Sequence, residues 1–173
     1  MQQKVKISPA NITEKNENYH NAVKEITRAD HLIYVSLKYS RTIDVIKSIV
    51  SRLIEAYNFA IIASLETFYT DEDELKKYLH GFKTQTEAVV KAFPDTKEDI
   101  EFYKYLRKLK NAPVNARLNE FRRHVTLVTE IDDKEVHVKT DDIEEYYEKT
   151  KSFLRKVNQN IHKGEDDLLS RGN

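Results

Sequence analysis

The chain has 173 residues, no cysteine, three glycines and three prolines, and 29 basic residues against 29 acidic ones. This composition excludes disulfides and thiolate metal sites and argues against a turn-rich β fold. It also leaves no net charge to attract nucleic acid from a distance, so any such contact must come from a local patch.

The length suits a single domain, residues 1–173, with a core of its own. The longest apolar-rich stretch, 57–65, is interrupted by Asn58 and is too short to span a bilayer. The N-terminus lacks the apolar core of a signal peptide. A cytoplasmic protein with no membrane contact is expected.

Residues 1–13, with Pro9, read as a loose arm. A first helix is predicted over 14–38, with Tyr19, Ala22, Ile26, Ala29, Ile33 and Leu37 on its apolar stripe. Tyr39-Ser40-Arg41-Thr42 lacks the pattern and reads as a tight turn, with Ser40 or Thr42 as the next cap. The helix predicted over 42–69 is apolar on most sides, which is the mark of a central element. Arg52, Glu55 and Asn58 interrupt that surface as a solvated strip, with an internal partner as the alternative for Glu55 or Asn58.

Asp71 and Glu74 have the spacing of a capping box and open a helix over 72–93. His80-Gly81 is a place for it to kink or split, and Pro94 ends it. Thr96 is the expected cap of a helix over 97–110. A last helix starts at Thr140 or Asp141 and ends at Gly164, leaving 165–173 loose. Its acidic face, Glu144, Glu145 and Glu148, reads as solvated.

Residues 111–130 carry the most chemistry. Asn111 suits an N-cap and Pro113 a first helical turn. Val114, Leu118, Phe121, Val125 and Val128 then recur at helical spacing, which predicts a fifth helix. On it Arg117 and His124 are two turns apart and point the same way. A cation beside a group that titrates near neutral pH is what metal-free RNA cleavage by the 2′-hydroxyl needs: a base, and charge for the phosphorane. Two such pairs across a two-fold interface would supply acid and base separately. The plainer alternative is that Arg117 pairs with Glu120 or another acidic neighbour and that His124 is a half-buried edge residue. The end of this stretch also fits strands. Residues 125–131 and 136–138 alternate β-branched and polar residues around Asp132-Asp133-Lys134, so a short hairpin near 125–138 competes with the helix.

The predicted fold is therefore all-α, an antiparallel bundle of five to six helices with an optional short hairpin. No phosphate loop, dinucleotide fingerprint, zinc pair or nucleophile elbow is present, and no cofactor or metal is expected. His20 and His31, eleven positions apart, are too distant for one helix to chelate an ion.

An Arg-x6-His motif late in an all-α chain, Arg117-Leu-Asn-Glu-Phe-Arg-Arg-His124, resembles that of the HEPN (higher eukaryotes and prokaryotes nucleotide-binding) superfamily. Leu118 stands where that family usually has a polar residue, with Asn119 one position later. The resemblance implies a homodimer whose two motifs meet in a cleft. Active members are metal-independent endoribonucleases, often toxins or defence effectors, and others are binding or dimerisation modules. The implied partners are a second copy, RNA, and a cognate antitoxin or other protein. The implied catalytic residues are His124 as the acid-base group, Arg117 as the phosphate-binding cation and Asn119 as an orienting group. Arg122 and Arg123 add RNA-binding charge on their own chemistry. Two other functions compete: a non-catalytic helical protein-protein interaction module, and a small-molecule-binding bundle lined by Tyr and Phe.

Overall fold

A computed structural model describes the backbone of residues 9–170 and the side chains of residues 17–163. The expected loose ends are described only in part. Residues 1–8 and 171–173 lie outside the described residues, whereas Pro9 already opens a helix and the last helix runs past Gly164.

Helix α1 (Pro9–His31) passes into a π-helical stretch (Leu32–Leu37) and closes with one α turn, α2 (Lys38–Ser40). Arg41 then takes the left-handed conformation, φ 51°, and reverses the chain. Thr42 Oγ1 accepts the Val45 N–H at 3.4 Å and so starts α3 (Ile43–Phe68), as expected of a cap. Asp71 Oδ1 accepts the Glu74 N–H at 2.9 Å at the head of α4 (Glu72–Lys76).

The helix expected over 72–93 is split. Gly81 sits at φ 88°, a conformation glycine reaches without a Cβ clash, and α5 (Phe82–Ala92) begins after it. A 3₁₀ turn at Pro94–Thr96 leads into α6 (Lys97–Asn111). Thr96 does not cap α6, because its hydroxyl donates backwards to Phe93 O at 2.6 Å.

The helix predicted over 111–130 is not there. Asn111 is the last residue of α6, not the cap of a new helix, and Pro113 keeps the chain extended beyond it. Strands β1 (Ala116–Leu118), β2 (Thr126–Ile131) and β3 (Lys134–Lys139) form an antiparallel sheet in that order. The competing hairpin is real. Ile131 faces Lys134, leaving Asp132 and Asp133 as a two-residue turn with φ 51° and 60°. Positive φ at both positions is the twist-matched hairpin geometry, and aspartate tolerates it better than most residues. Strand β1, paired Leu118 to Thr126, has no counterpart in the pattern of the sequence.

The failure of the helix has a physical basis. Val125, Leu127, Thr129 and Ile131 are all buried at alternate positions, and the intervening Thr126 and Val128 are buried too. All of these but Leu127 are β-branched and fit a covered strand as well as a helical stripe. The sheet also recovers backbone hydrogen bonds for a segment whose Pro113 removes one donor.

The long helix α7 (Thr140–Ser170) completes the chain. Helix α3 is central: it touches α1, α5, α6 and α7, and Ile43, Ile46, Ile49, Leu53, Tyr57, Ile61 and Leu65 are all buried along it. Tyr57 is stacked between Tyr103 and Phe153, with ring centroids 5.2 and 4.8 Å away. Two of the residues that interrupt the apolar surface of α3, Arg52 and Asn58, have partners on other helices, whereas Glu55 pairs with Asn58 on its own helix. Arg52 binds the buried carboxylate of Glu25 at 3.0 Å, which also pairs with Arg28. Asn58 Oδ1 accepts the hydroxyl of Tyr103. The acidic face of α7 is exposed as expected, with Glu145 and Glu148 paired to Lys149 and Lys151.

Candidate functional site

The connection between β1 and β2, residues 119–125, folds back on the turn at Arg41. The Phe121 N–H donates to Arg41 O at 2.8 Å. Glu120 Oε1 accepts the Ile43 N–H at 3.0 Å, at the start of α3. Within the loop the Arg122 N–H donates to Asn119 O at 3.0 Å and the Val125 N–H to Arg122 O at 3.2 Å. Asn119 and Phe121 both have positive φ, 54° and 65°, which no helix accommodates.

Arg117 and His124 therefore do not share a helix face. Arg117 lies on β1 and is engaged by two carboxylates, Asp44 at 3.1 Å and Glu120 at 3.2 Å. The hydrogen bonds that Arg117 donates to Asp44 and then to Glu120 raise the guanidinium pKa above its ordinary value. The pairing with Glu120 is the plainer alternative that the sequence offered, extended by Asp44. His124 is exposed at the far end of the loop, not half-buried. Its carbonyl accepts from Asn119 Nδ2 at 3.3 Å and from Thr126 Oγ1 at 3.0 Å. The Asn119 side chain thus braces the loop.

Arg122, Arg123 and His124 are consecutive, exposed, and make no ion pair or side-chain hydrogen bond among the described residues. Phe121, which precedes them in the loop, is 74% exposed, and Tyr39, two residues before Arg41 in sequence, is 81% exposed. The backbone of Arg41, whose carbonyl holds the loop, lies at the same corner. The corner carries local positive charge on a chain whose net charge is zero. The sequence alone marks Tyr39 and Arg41 only as part of a connection. The available signal was an aromatic and an arginine close together in a predicted turn.

A second feature is a hollow of about 130 Å³ between α3 and α6, lined by Ile54, Glu55, Asn58, Arg107, Lys110 and Asn111. Arg107 is positioned there by Phe82, whose ring centre is 4.2 Å from the guanidinium carbon, and by the Tyr103 hydroxyl at 3.3 Å. Asn58 Nδ2 donates to Glu55 Oε2 at 3.3 Å. No three His, Asp or Glu side chains converge to hold a metal ion among the described residues. No described helix is long and apolar enough to cross a membrane.

Comparison of the chain with protein-family models, with curated proteins and with solved structures finds no match.

Proposed function

We propose that this chain is an RNA-binding protein on an antiparallel helical bundle, and that it contacts phosphate through the corner formed by Arg41 and residues 119–124. The observation that carries this is the run Arg122-Arg123-His124, exposed without carboxylate partners among the described residues, while Arg117 a few residues away is neutralised by Asp44 and Glu120. Unpaired guanidiniums on a braced loop suit phosphate, which takes two parallel N–H donors.

The measurement is fluorescence anisotropy with a labelled RNA of mixed sequence at several salt concentrations. Binding should weaken steeply with salt. Replacing both Arg122 and Arg123 by Ala should lower the slope of log affinity against log salt by about 1.5 on a single strand, since each arginine that neutralises a phosphate there adds about 0.7 to it. An unchanged slope would exclude the loop as the binding surface.

Cleavage is a further step, resting on the HEPN resemblance and on a homodimer. In each copy Arg117 is committed to carboxylates, so cleavage would require an RNA phosphate to displace Asp44 or Glu120 from it where two copies meet. The test is RNA incubated with the protein and a chelator: cleavage that Arg117→Ala and His124→Ala abolish supports the ribonuclease, and intact RNA across a broad panel leaves binding alone. The non-catalytic interaction module is the second reading, favoured by the exposed apolar residues Val35, Tyr39, Leu118 and Phe121. It requires RNA affinity to be absent.

A further inference from the structure

We infer that the corner selects single-stranded RNA, with an unpaired base stacked on the ring of Phe121. This inference rests on the RNA-binding function proposed above.

Phe121 is an anomaly on two independent counts. Its φ of 65° is a region that a bulky L-residue rarely enters. Its side chain is nevertheless 74% exposed, so little buried surface offsets that strain. The backbone is pinned on both sides of the residue. The N–H of Phe121 donates to Arg41 O at 2.8 Å, and the next N–H, that of Arg122, closes a turn on Asn119 O at 3.0 Å. The ring is therefore displayed on a fixed backbone, and ordering it costs less on binding than ordering a ring on a flexible loop.

What covers the ring is indicated by its neighbours. Arg122 and Arg123 follow directly and carry charge that no described side chain neutralises. An apolar protein surface laid on Phe121 would have to desolvate those guanidiniums without compensation. A nucleic-acid strand offers both halves at once: a base face for the ring and phosphates for the arginines. Stacking on an aromatic is open to a strand whose bases are splayed out, whereas a duplex has its base faces closed against one another.

The chain contains no tryptophan, so Phe121→Trp installs a single fluorescent reporter at the stacking position. The probes are a single-stranded RNA of about twelve nucleotides, within the span one small binding surface covers, and the same RNA annealed to its complement. Single strands should bind about ten-fold or more tightly than the duplex. Phe121→Ala should weaken single-strand binding about ten-fold and leave duplex binding unchanged, because one stacked base contributes on that scale. Phe121→Trp should retain binding and be quenched on addition of the single strand, with circular dichroism showing both variants folded.

Equal affinity for the two probes, unaffected by Phe121→Ala yet abolished by loss of Arg122 and Arg123, overturns the stacking inference and leaves RNA binding standing. Binding of neither probe overturns both. A self-association that Phe121→Ala dissolves in sedimentation, without RNA affinity, would assign the ring to contact between copies and also overturn it.

Discussion

Glu120 Oε1 accepts the backbone N–H of Ile43 at 3.0 Å, so a carboxylate 77 residues downstream caps helix α3. The same oxygen receives Arg117 Nη1 at 3.2 Å. One side chain thereby ties the candidate loop both to the central helix and to β1. The loop is positioned by the fold's own capping requirement, since the first N–H groups of a helix need acceptors.

Glu120→Ala should lower stability by about 1 kcal/mol, the usual effect of losing a cap. The ion pair with Arg117 adds little, because Arg117 is itself exposed. Urea denaturation checks this, with the slope unchanged. Glu120→Gln, which retains an acceptor oxygen, should recover part of the loss. An Ala variant as stable as the parent would mean that the hydrogen bond to Ile43 contributes nothing.

Phe121→Gly should stabilise the fold by about 1 kcal/mol. Left-handed backbone costs a bulky residue of order 1–3 kcal/mol, and the extra freedom of glycine in the unfolded chain offsets about 0.5–1 of that. Thermal and urea unfolding give the value. A variant less stable than the parent would show that the ring packs for stability, which its 74% exposure argues against.

Tyr57→Phe should be neutral or stabilising by up to about 1 kcal/mol. The ring is wholly buried, and its hydroxyl lies beside Thr150 without a hydrogen bond of normal geometry. Thr150 directs its own hydroxyl to Tyr146 O at 2.8 Å. A buried hydroxyl without a good partner is a cost that phenylalanine removes while keeping the stack on Tyr103 and Phe153. A loss of more than about 1 kcal/mol would reveal a strong bond at that oxygen.

Alkaline pH should unfold the protein cooperatively. Burial raises the pKa of Tyr57, Tyr146 and Tyr147; the hydrogen bond with Tyr105 adds to the rise for Tyr146, and that with Asp30 for Tyr147. The unfolded chain releases these protons near the ordinary tyrosine pKa of about 10, and the native chain holds them. Their contribution to stability is therefore complete below about pH 10 and falls as pH rises beyond it. Phenolate absorbance and helical circular dichroism should change together in that range. Full ionisation of all tyrosines with the helices intact would refute the burial effect.

The helical scaffold was legible in the sequence because long amphipathic repeats are a local property. The apolar surface of α3, the cap at Thr42, the Asp71 capping bond and the break at Gly81 are each determined within a few residues. The hairpin was legible as an alternative for the same reason, through Asp132-Asp133 between β-branched runs.

The segment 111–130 was decided elsewhere. Its apolar spacing fits a helix, and Asn111 and Pro113 occur at helix starts and helix ends alike. What selected strand and loop lies far along the chain: the Ile43 N–H waiting for Glu120, Arg41 O for Phe121, Asp44 for Arg117, and β3 for β2. The sequence by itself determined which residues carry charge, aromatic surface and a titratable imidazole, because those are properties of side chains. Only the tertiary structure decided that Arg117 is neutralised while Arg122, Arg123 and Phe121 face solvent, because pairing and exposure depend on residues distant in sequence meeting in space.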